Sequence, residues 1–284
     1  MVLQILFQAV PLLLAGTGVL WTELAGFLSI SIEGWMSFGG FVSYIIALYT
    51  GSVFWAVIIA SLAAAFLSWL CARFVIRAGA DPFIVGLALN LGISGGITAV
   101  SSKILGAKGV LRPFDFTGAA NSELFSFGIA VSWSFVYAAV AGALISAWLL
   151  RRTPLGLRTI AAGLSPEASL ERGLDFRCYR TISWAFAGFF AAAAGAALTF
   201  RVGVYTPDGV SGRGWLAIAA VFLGFRKIRG IIAASVLLAA AEHVCIDAQK
   251  QNFAPQTALI GLPSLLALLL YSISQFMEKK IVRD

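Results

Sequence analysis

Residues 151–180 read RRTPLGLRTIAAGLSPEASLERGLDFRCYR. The stretch is polar and charged, whereas its flanks are apolar: it holds six of the 20 basic residues and three of the 13 acids. Placed between two long hydrophobic runs, it predicts a short helix held in water between two membrane spans. Ser165 stands where a side chain can cap free amides, and Pro166 suits the first helical position. Glu167 complements the positive helix end and Gly173 offers a stop. A helix of about two turns is too short to be stable alone in water, so this element is expected to rest on a partner surface.

Outside this stretch the composition is that of a membrane protein. Of the 284 residues, 60% are hydrophobic and 12% charged, with a mean hydropathy of +0.92. So few polar groups cannot cover that much apolar surface in water. A bilayer core of about 30 Å takes roughly 20 apolar residues per helix. Runs of suitable character lie at 2–20, 25–49, 55–74, 83–100, 128–150, 181–200, 230–247 and 258–276. A ninth, at 215–225, is too short for an ordinary span unless the glycine-rich residues before it dip into the protein. The fold class expected is therefore all-α and polytopic, with about nine crossings and a single transmembrane domain over residues 1–284. The first run has no basic flank before it and no small-residue cleavage site, and is read as a span rather than a removed leader.

Within the second run, Ser29, Ser31, Glu33 and Gly34 interrupt the apolar pattern, and Gly39 and Gly40 loosen it again, so a broken helix is expected. Asp81 and Pro82 form a cap-then-proline start for the fourth run. On that run Gly86, Asn90 and Ser94 recur every four residues and share a face that can pack on another helix or line a polar path. Residues 101–127 read as a loop outside the membrane, and the alanines between 191 and 197 predict close approach of neighbouring helices.

Charge sets the orientation. With residues 151–180 placed in the cytoplasm, fourteen basic residues fall inside and six outside, in keeping with excess positive charge on the cytoplasmic side. The carboxy terminus is then cytoplasmic and, with nine crossings, the amino terminus external. The net charge of +7 is accounted for by these loops and gives no reason to invoke nucleic acid. Cys71, Cys178 and Cys245 are scattered, and with one histidine in the chain no metal site is expected.

Glu167-Ala168-Ser169 followed by Gly173 resembles the EAA-x-x-x-G loop of ATP-binding-cassette importer permeases. The surrounding stretch is similar to the coupling loop of their nucleoside and simple-sugar branch, which is related to the branched-chain amino acid and ribose permeases. Residues 31–36, SIEGWM, and 84–91, IVGLALNL, resemble the same branch, so that the likeness covers about residues 9–245. It implies that Ser165, Pro166, Glu167, Ala168, Ser169 and Gly173 contact a cytoplasmic ATPase. It also implies a second permease chain, in this branch expected to be a related heterodimer partner, and an external substrate-binding protein. The setting it implies is the bacterial cytoplasmic (inner) membrane. No cofactor is expected on this chain; ATP and magnesium belong to the partner ATPase.

The residues agree that energy comes from elsewhere, since no G-x-x-x-x-G-K-[ST] loop and no nucleophile beside a usable base occurs. Polar groups at membrane depth are pathway candidates. Glu33 comes first, at the expected break, where a half-helix would present free amides to a ligand; the competing role is a carboxylate pairing with a helix end. Asn90 and Ser94 follow, with an interhelical hydrogen bond as the competing role of Asn90. Trp35, Phe38 and Phe41 offer faces for a flat ring or a sugar. Glu242, His243 and Asp247 suggest an interfacial cluster, or a proton relay. The resemblance favours a nucleoside-like solute, with riboflavin and simple sugars as alternatives. A different class, an ion-coupled secondary transporter using Glu33, Glu242 or Asp247, would share the broken helix but has no need of the arginine-rich stretch.

Overall fold

A computed structural model describes residues 2–104, 121–203, 205–207 and 209–250. Ten helices occur among them: α1 (Val2–Leu24), α2 (Ile32–Thr50), α3 (Val53–Ala78), α4 (Pro82–Ile104), α5 (Asn121–Arg152), α6 (Pro154–Leu164), α7 (Pro166–Glu171), α8 (Phe176–Val202), α9 (Arg213–Leu223) and α10 (Ile228–Lys250). Six of these, α1, α3, α4, α5, α8 and α10, contain stretches long and apolar enough to cross a membrane. Among the described residues the regular structure is helical, that of a polytopic membrane protein.

Several boundaries differ from the expected ones. Residues 25–31 are not helical, and α2 runs without a break from Ile32 through Gly39 and Gly40 to Thr50. The two glycines do not loosen the helix because they are spent on packing: Gly39 faces the backbone of Ala192 and Gly40 that of Gly195, both on α8. The short run at 215–225 is α9, only 11 residues long. Helix α5 begins at Asn121, inside the stretch read as a loop to residue 127. The run expected at 258–276 lies outside the described residues.

Helices α1 and α8 form the centre. Of their membrane-spanning windows 61% and 78% is buried, against 17% for α4 and 28% for α3, which places the latter at the periphery. Helix α8 packs along α1, α2 and α3. Its small residues make this possible: Ala191, Ala192, Ala194, Ala196 and Ala197 are buried, and Gly195 lies against the carbonyl of Met36. Gly188 meets Ala64 and Ser68 of α3 in the same way. Without a hydrophobic drive between helices in lipid, backbone approach through small residues is what holds such a bundle. The close approach expected from the alanine run is borne out. Large side chains fill the ends of the same core: Trp21 stacks on Phe186 with ring centroids 4.3 Å apart and donates through Nε1 to Ser146 Oγ at 3.2 Å. Phe54, Phe66, Phe83, Leu91, Leu144 and Trp148 point outward from α3, α4 and α5, as side chains facing acyl chains do.

Candidate transport pathway and coupling site

The stretch 151–180 folds as two helices rather than one. Thr153 caps α6, its hydroxyl oxygen accepting from the Gly156 amide at 3.4 Å, and Pro154 follows at the first helical position. Helix α7 then starts at Pro166 with Glu167 in its first turn, as read from the sequence. The cap expected from Ser165 is different in kind: its side chain makes no capping bond, and its backbone carbonyl accepts from the Ser169 amide at 3.1 Å. The hydroxyl is not needed because Ser165 also closes α6, its amide donating to Ala161. Gly173 has φ +73°, the left-handed geometry that ends a helix, and the amide of Leu174 reaches back to Ser169.

One contact joins the two helices and another rests them on the bundle. Ser169, buried, places Oγ 2.9 Å from the Ser165 carbonyl and 3.2 Å from that of Ala161, tying α7 to α6. Gly163 lies against the backbone of Leu24, Ala25 and Gly26, so that α6 rests on the turn that ends α1. The opposite face is open. Leu157, Leu164 and Leu170 are exposed there, Leu164 at 82%, beside the exposed charges Arg158, Glu167, Glu171 and Arg172. Of the six residues read as the docking element, Ser169 is therefore turned inward, while Ser165, Glu167, Ala168 and Gly173 are exposed and Pro166 is half-buried.

Beyond that turn the chain enters the bundle without helical hydrogen bonds, and every polar group it carries there needs another partner. Trp184 Nε1 donates to the Phe27 carbonyl at 2.8 Å. Asn90 Nδ2 donates to the Ile30 carbonyl at 2.9 Å while its Oδ1 accepts from the Gly34 amide at 2.7 Å. Ser29 and Ser31 share a hydrogen bond of 2.8 Å, and Ser31 Oγ accepts from Trp35 Nε1 at 3.0 Å. Asn90 thus clasps the entry to α2 from both sides. Gly86, one turn earlier on α4, lets Ile30 and Ser31 approach, whereas Ser94, one turn later, is half-exposed and its carbonyl accepts from Thr98.

Glu33, in the first turn of α2, reaches across to a second helix start. Its Oε1 accepts from the amide of Gly212 at 2.8 Å, the N-cap of α9. One carboxylate thereby faces two positive helix ends, its own and that of α9, an arrangement in which its charge stabilises both. Gly214 allows this contact, since its backbone lies directly on that of Glu33. The next residue, Arg213, is one of the six basic residues that the charge count places outside the membrane. Instead its Nη2 pairs with Glu242 Oε1 at 2.5 Å, the two side chains being only 18% and 14% exposed, and its Nη1 donates to the Gly209 carbonyl at 3.2 Å. The cluster expected at the end of α10 accordingly divides: Glu242 turns to α9, and His243 sits 3.4 Å from Asp247 one helical turn on.

Above this junction lies a cavity of about 60 Å³. Met36, Ser37 and Gly40 of α2 form one wall, Gly195 and Thr199 of α8 another, and Tyr205, Thr206 and Val210 the third. None of Glu33, Trp35, Phe38, Phe41, Asn90 and Ser94 lines it. Phe41 touches its wall through Tyr205, with ring centroids 5.5 Å apart, and Tyr44 flanks the same ring at 5.6 Å. Glu33 is one turn below Ser37. Trp35 is 2% exposed and packs edge-on to Phe38 at 6.0 Å, inside the core. The lining residues escaped a sequence reading because Ser37, Thr199 and Thr206 are common hydroxyls in apolar runs; only the glycine-rich character of 201–214 marked the neighbourhood.

The sequence matches the family described as branched-chain amino acid transport system / permease component over residues 1–270. It is 28% identical over 256 residues to the guanosine ABC transporter permease protein NupQ of Bacillus subtilis, covering 85% of this chain and 80% of that protein. To the nucleoside ABC transporter permease protein NupC of Lactococcus lactis it is 24% identical, over 83% of this chain and 78% of the relative. To the putative glucose ABC transporter permease protein TsgC13 of Haloferax volcanii it is 29% identical, over 80% of this chain and 71% of the relative. Riboflavin is named in none of these three. No solved structure matches the chain. The resemblance carried by residues 31–36, 84–91 and 165–173 is borne out, and the chain belongs to the permease-component family of branched-chain amino acid transport systems.

Proposed function

We propose that this chain is the transmembrane subunit of an ATP-binding-cassette importer and supplies half of a pathway for a nucleoside-like solute. The observation that carries the reading is the open face of α6 and α7. Three exposed leucines flanked by charges of both signs, on helices too short to persist unaided, need a partner surface, and a cytoplasmic ATPase is the partner that this family employs. The ATPase binds ATP and magnesium; this chain transmits its closure through Glu167, Ala168 and the turn at Gly173. A second permease chain, related rather than identical, completes the pathway, and an external binding protein delivers the solute.

In the bacterial inner membrane, residues 151–180 and the carboxy terminus face the cytoplasm and the amino terminus faces out. About nine membrane segments follow if α2, the short α9 and the run at 258–276 are added to the six long spans. Together residues 1–284 act as one permease domain. A nucleoside-like solute is favoured by the two nucleoside permeases among the relatives, with a simple sugar as the alternative suggested by the third. Hydroxyls at Ser37, Thr199 and Thr206 beside the rings of Phe41, Tyr44 and Tyr205 suit a neutral solute with a ring and hydroxyl groups. The ion-coupled alternative would need Glu33 and Glu242 available to a cation or proton, and both already have partners.

The test is uptake of labelled guanosine alongside ATP hydrolysis, in proteoliposomes holding the full complex. Glu167→Ala and Gly173→Ala are expected to lose uptake while hydrolysis continues and the complex still inserts. Uptake unchanged in both variants would remove the coupling assignment.

A further inference from the structure

Helix α9 is bracketed by unusual backbone. Three non-glycine residues have positive φ among the described residues: Ser211 at 46°, just before α9, and Phe225 at 53° and Arg226 at 55°, just after it. Large side chains avoid this region, and where they occupy it the surrounding structure imposes it. Charged contacts sit at the same two places. At one end Glu33 holds the Gly212 amide and Arg213 holds both Glu242 and the Gly209 carbonyl. At the other, Arg226 Nε pairs with Glu23 Oε1 at 2.9 Å, in the last turn of α1 and next to the turn on which α6 rests. Between its ends α9 presents small residues, Gly214, Ala217 and Ala220, to its neighbours, all buried. It is a short rod with left-handed backbone and a charged contact at each end, packed along its length through Ala217, Ala220 and Val221. One end adjoins the coupling helices and the other carries the cavity wall.

We infer that Arg213 and Glu242 are positioning residues for transport: their ion pair latches α9, and with it the wall formed by Tyr205, Thr206 and Val210, in the state that keeps the cavity small. The bond from Arg213 to the Gly209 carbonyl makes the connection direct, because the same guanidinium that reaches α10 also fixes the turn lining the cavity. Release of the pair frees the wall to swing about Ser211. The pair is a suitable latch since both side chains are largely shielded from water and carry opposite charge, so that separating them is discouraged until another group or water replaces the partner. This inference rests on the assignment of the cavity to the pathway, but its test requires neither ATPase nor solute, so failed uptake and a failed latch are separate outcomes.

The experiment measures access to the cavity. In the full chain with Cys71, Cys178 and Cys245 replaced by alanine, Thr206→Cys is a reporter, and its rate of modification by methyl methanethiosulfonate is followed in native membranes. Glu242→Gln is expected to raise that rate by about fivefold or more, and the exchange of Arg213→Glu with Glu242→Arg, which restores the pair but not the donor to the Gly209 carbonyl, to bring it part of the way back, to about half the single variant's rate or less. A rate unchanged by Glu242→Gln overturns the inference, and so does a rate raised equally by the single variant and the exchange, which would be general loosening. Should Glu242→Gln fail to insert, Arg213→Lys takes its place, keeping the charge while losing the second contact to Gly209. A smaller rise is then expected, and none overturns the latch.

Discussion

Gly195→Ala tests the packing on which the bundle depends. A Cβ at Gly195 would fall well inside the van der Waals radius of the Met36 carbonyl oxygen, which is helical backbone and cannot rotate away. Relief requires α2 and α8 to part by about an ångström, along a seam where Gly39 and Gly40 also sit against α8. Overpacking of this kind costs about 1–3 kcal/mol, and backbone on both sides puts Gly195 at the upper end. Alanine's better helix preference returns about 1 kcal/mol, leaving a net loss of roughly 2 kcal/mol. Gly92→Ala on α4 is the matched control: nothing lies within 4 Å of the added methyl, so the helix preference stands alone and the variant gains up to about 1 kcal/mol. The two substitutions share their chemistry and differ in sign. Heating the detergent-solubilised chain and following loss of the monodisperse species gives the ranking. A Gly195→Ala chain as stable as the parent would refute the close packing of α2 on α8.

Asn90→Ala leaves the Ile30 carbonyl and Gly34 amide without their partner, and at about 1–3 kcal/mol for each buried group it is expected to lower the same apparent stability by about 2 kcal/mol or more; an unchanged melting profile would show that the clasp is dispensable. Trp184→Phe removes the donor to Phe27, about 1 kcal/mol, and also part of a fully buried ring system, which leaves a cavity, so a loss of about 2 kcal/mol or more is expected, and an unchanged melting profile would refute the contact. Glu33→Gln retains an acceptor for the Gly212 amide but removes the charge between two helix ends, so uptake should fall more than the yield of assembled complex, and equal loss of both would assign Glu33 to structure alone.

How much of this was legible in the sequence depended on how far apart the participants lie. The start and stop of α7 were readable because Pro166, Glu167 and Gly173 act on their own neighbourhood. Only one helix was read in 151–180, and α6 was passed over although its signal is as local, Thr153 followed by Pro154; its Gly156 and Gly163 serve contact with Leu150 and the turn after α1. The broken second helix was half right: Ser29 and Ser31 do lie in irregular backbone, but it precedes the helix, whose first turn already holds Glu33 and Gly34, since Asn90 and Trp184 supply bonds that a helix would otherwise make for itself. Those donors are 60 and 157 residues from the carbonyls they serve. Glu33 was recognised as expensive at that depth, yet the amide it caps is 179 residues away, and Arg213 looked like an ordinary loop charge until folding brought it to Glu242. Local propensity announces that a polar group needs a partner; only the packed helices name it.

The central claim is that this permease is driven through the α6–α7 face by a separate ATPase. Purifying the chain in mild detergent from its native membrane and identifying what accompanies it by mass spectrometry tests that most directly. The account predicts an ATP-binding-cassette ATPase at about one copy per permease chain, in keeping with two states of a pathway switched by a bound partner, and its loss when Leu164 on the open face is replaced by glutamate. A chain that purifies alone and still moves solute across liposomes without ATP would contradict it.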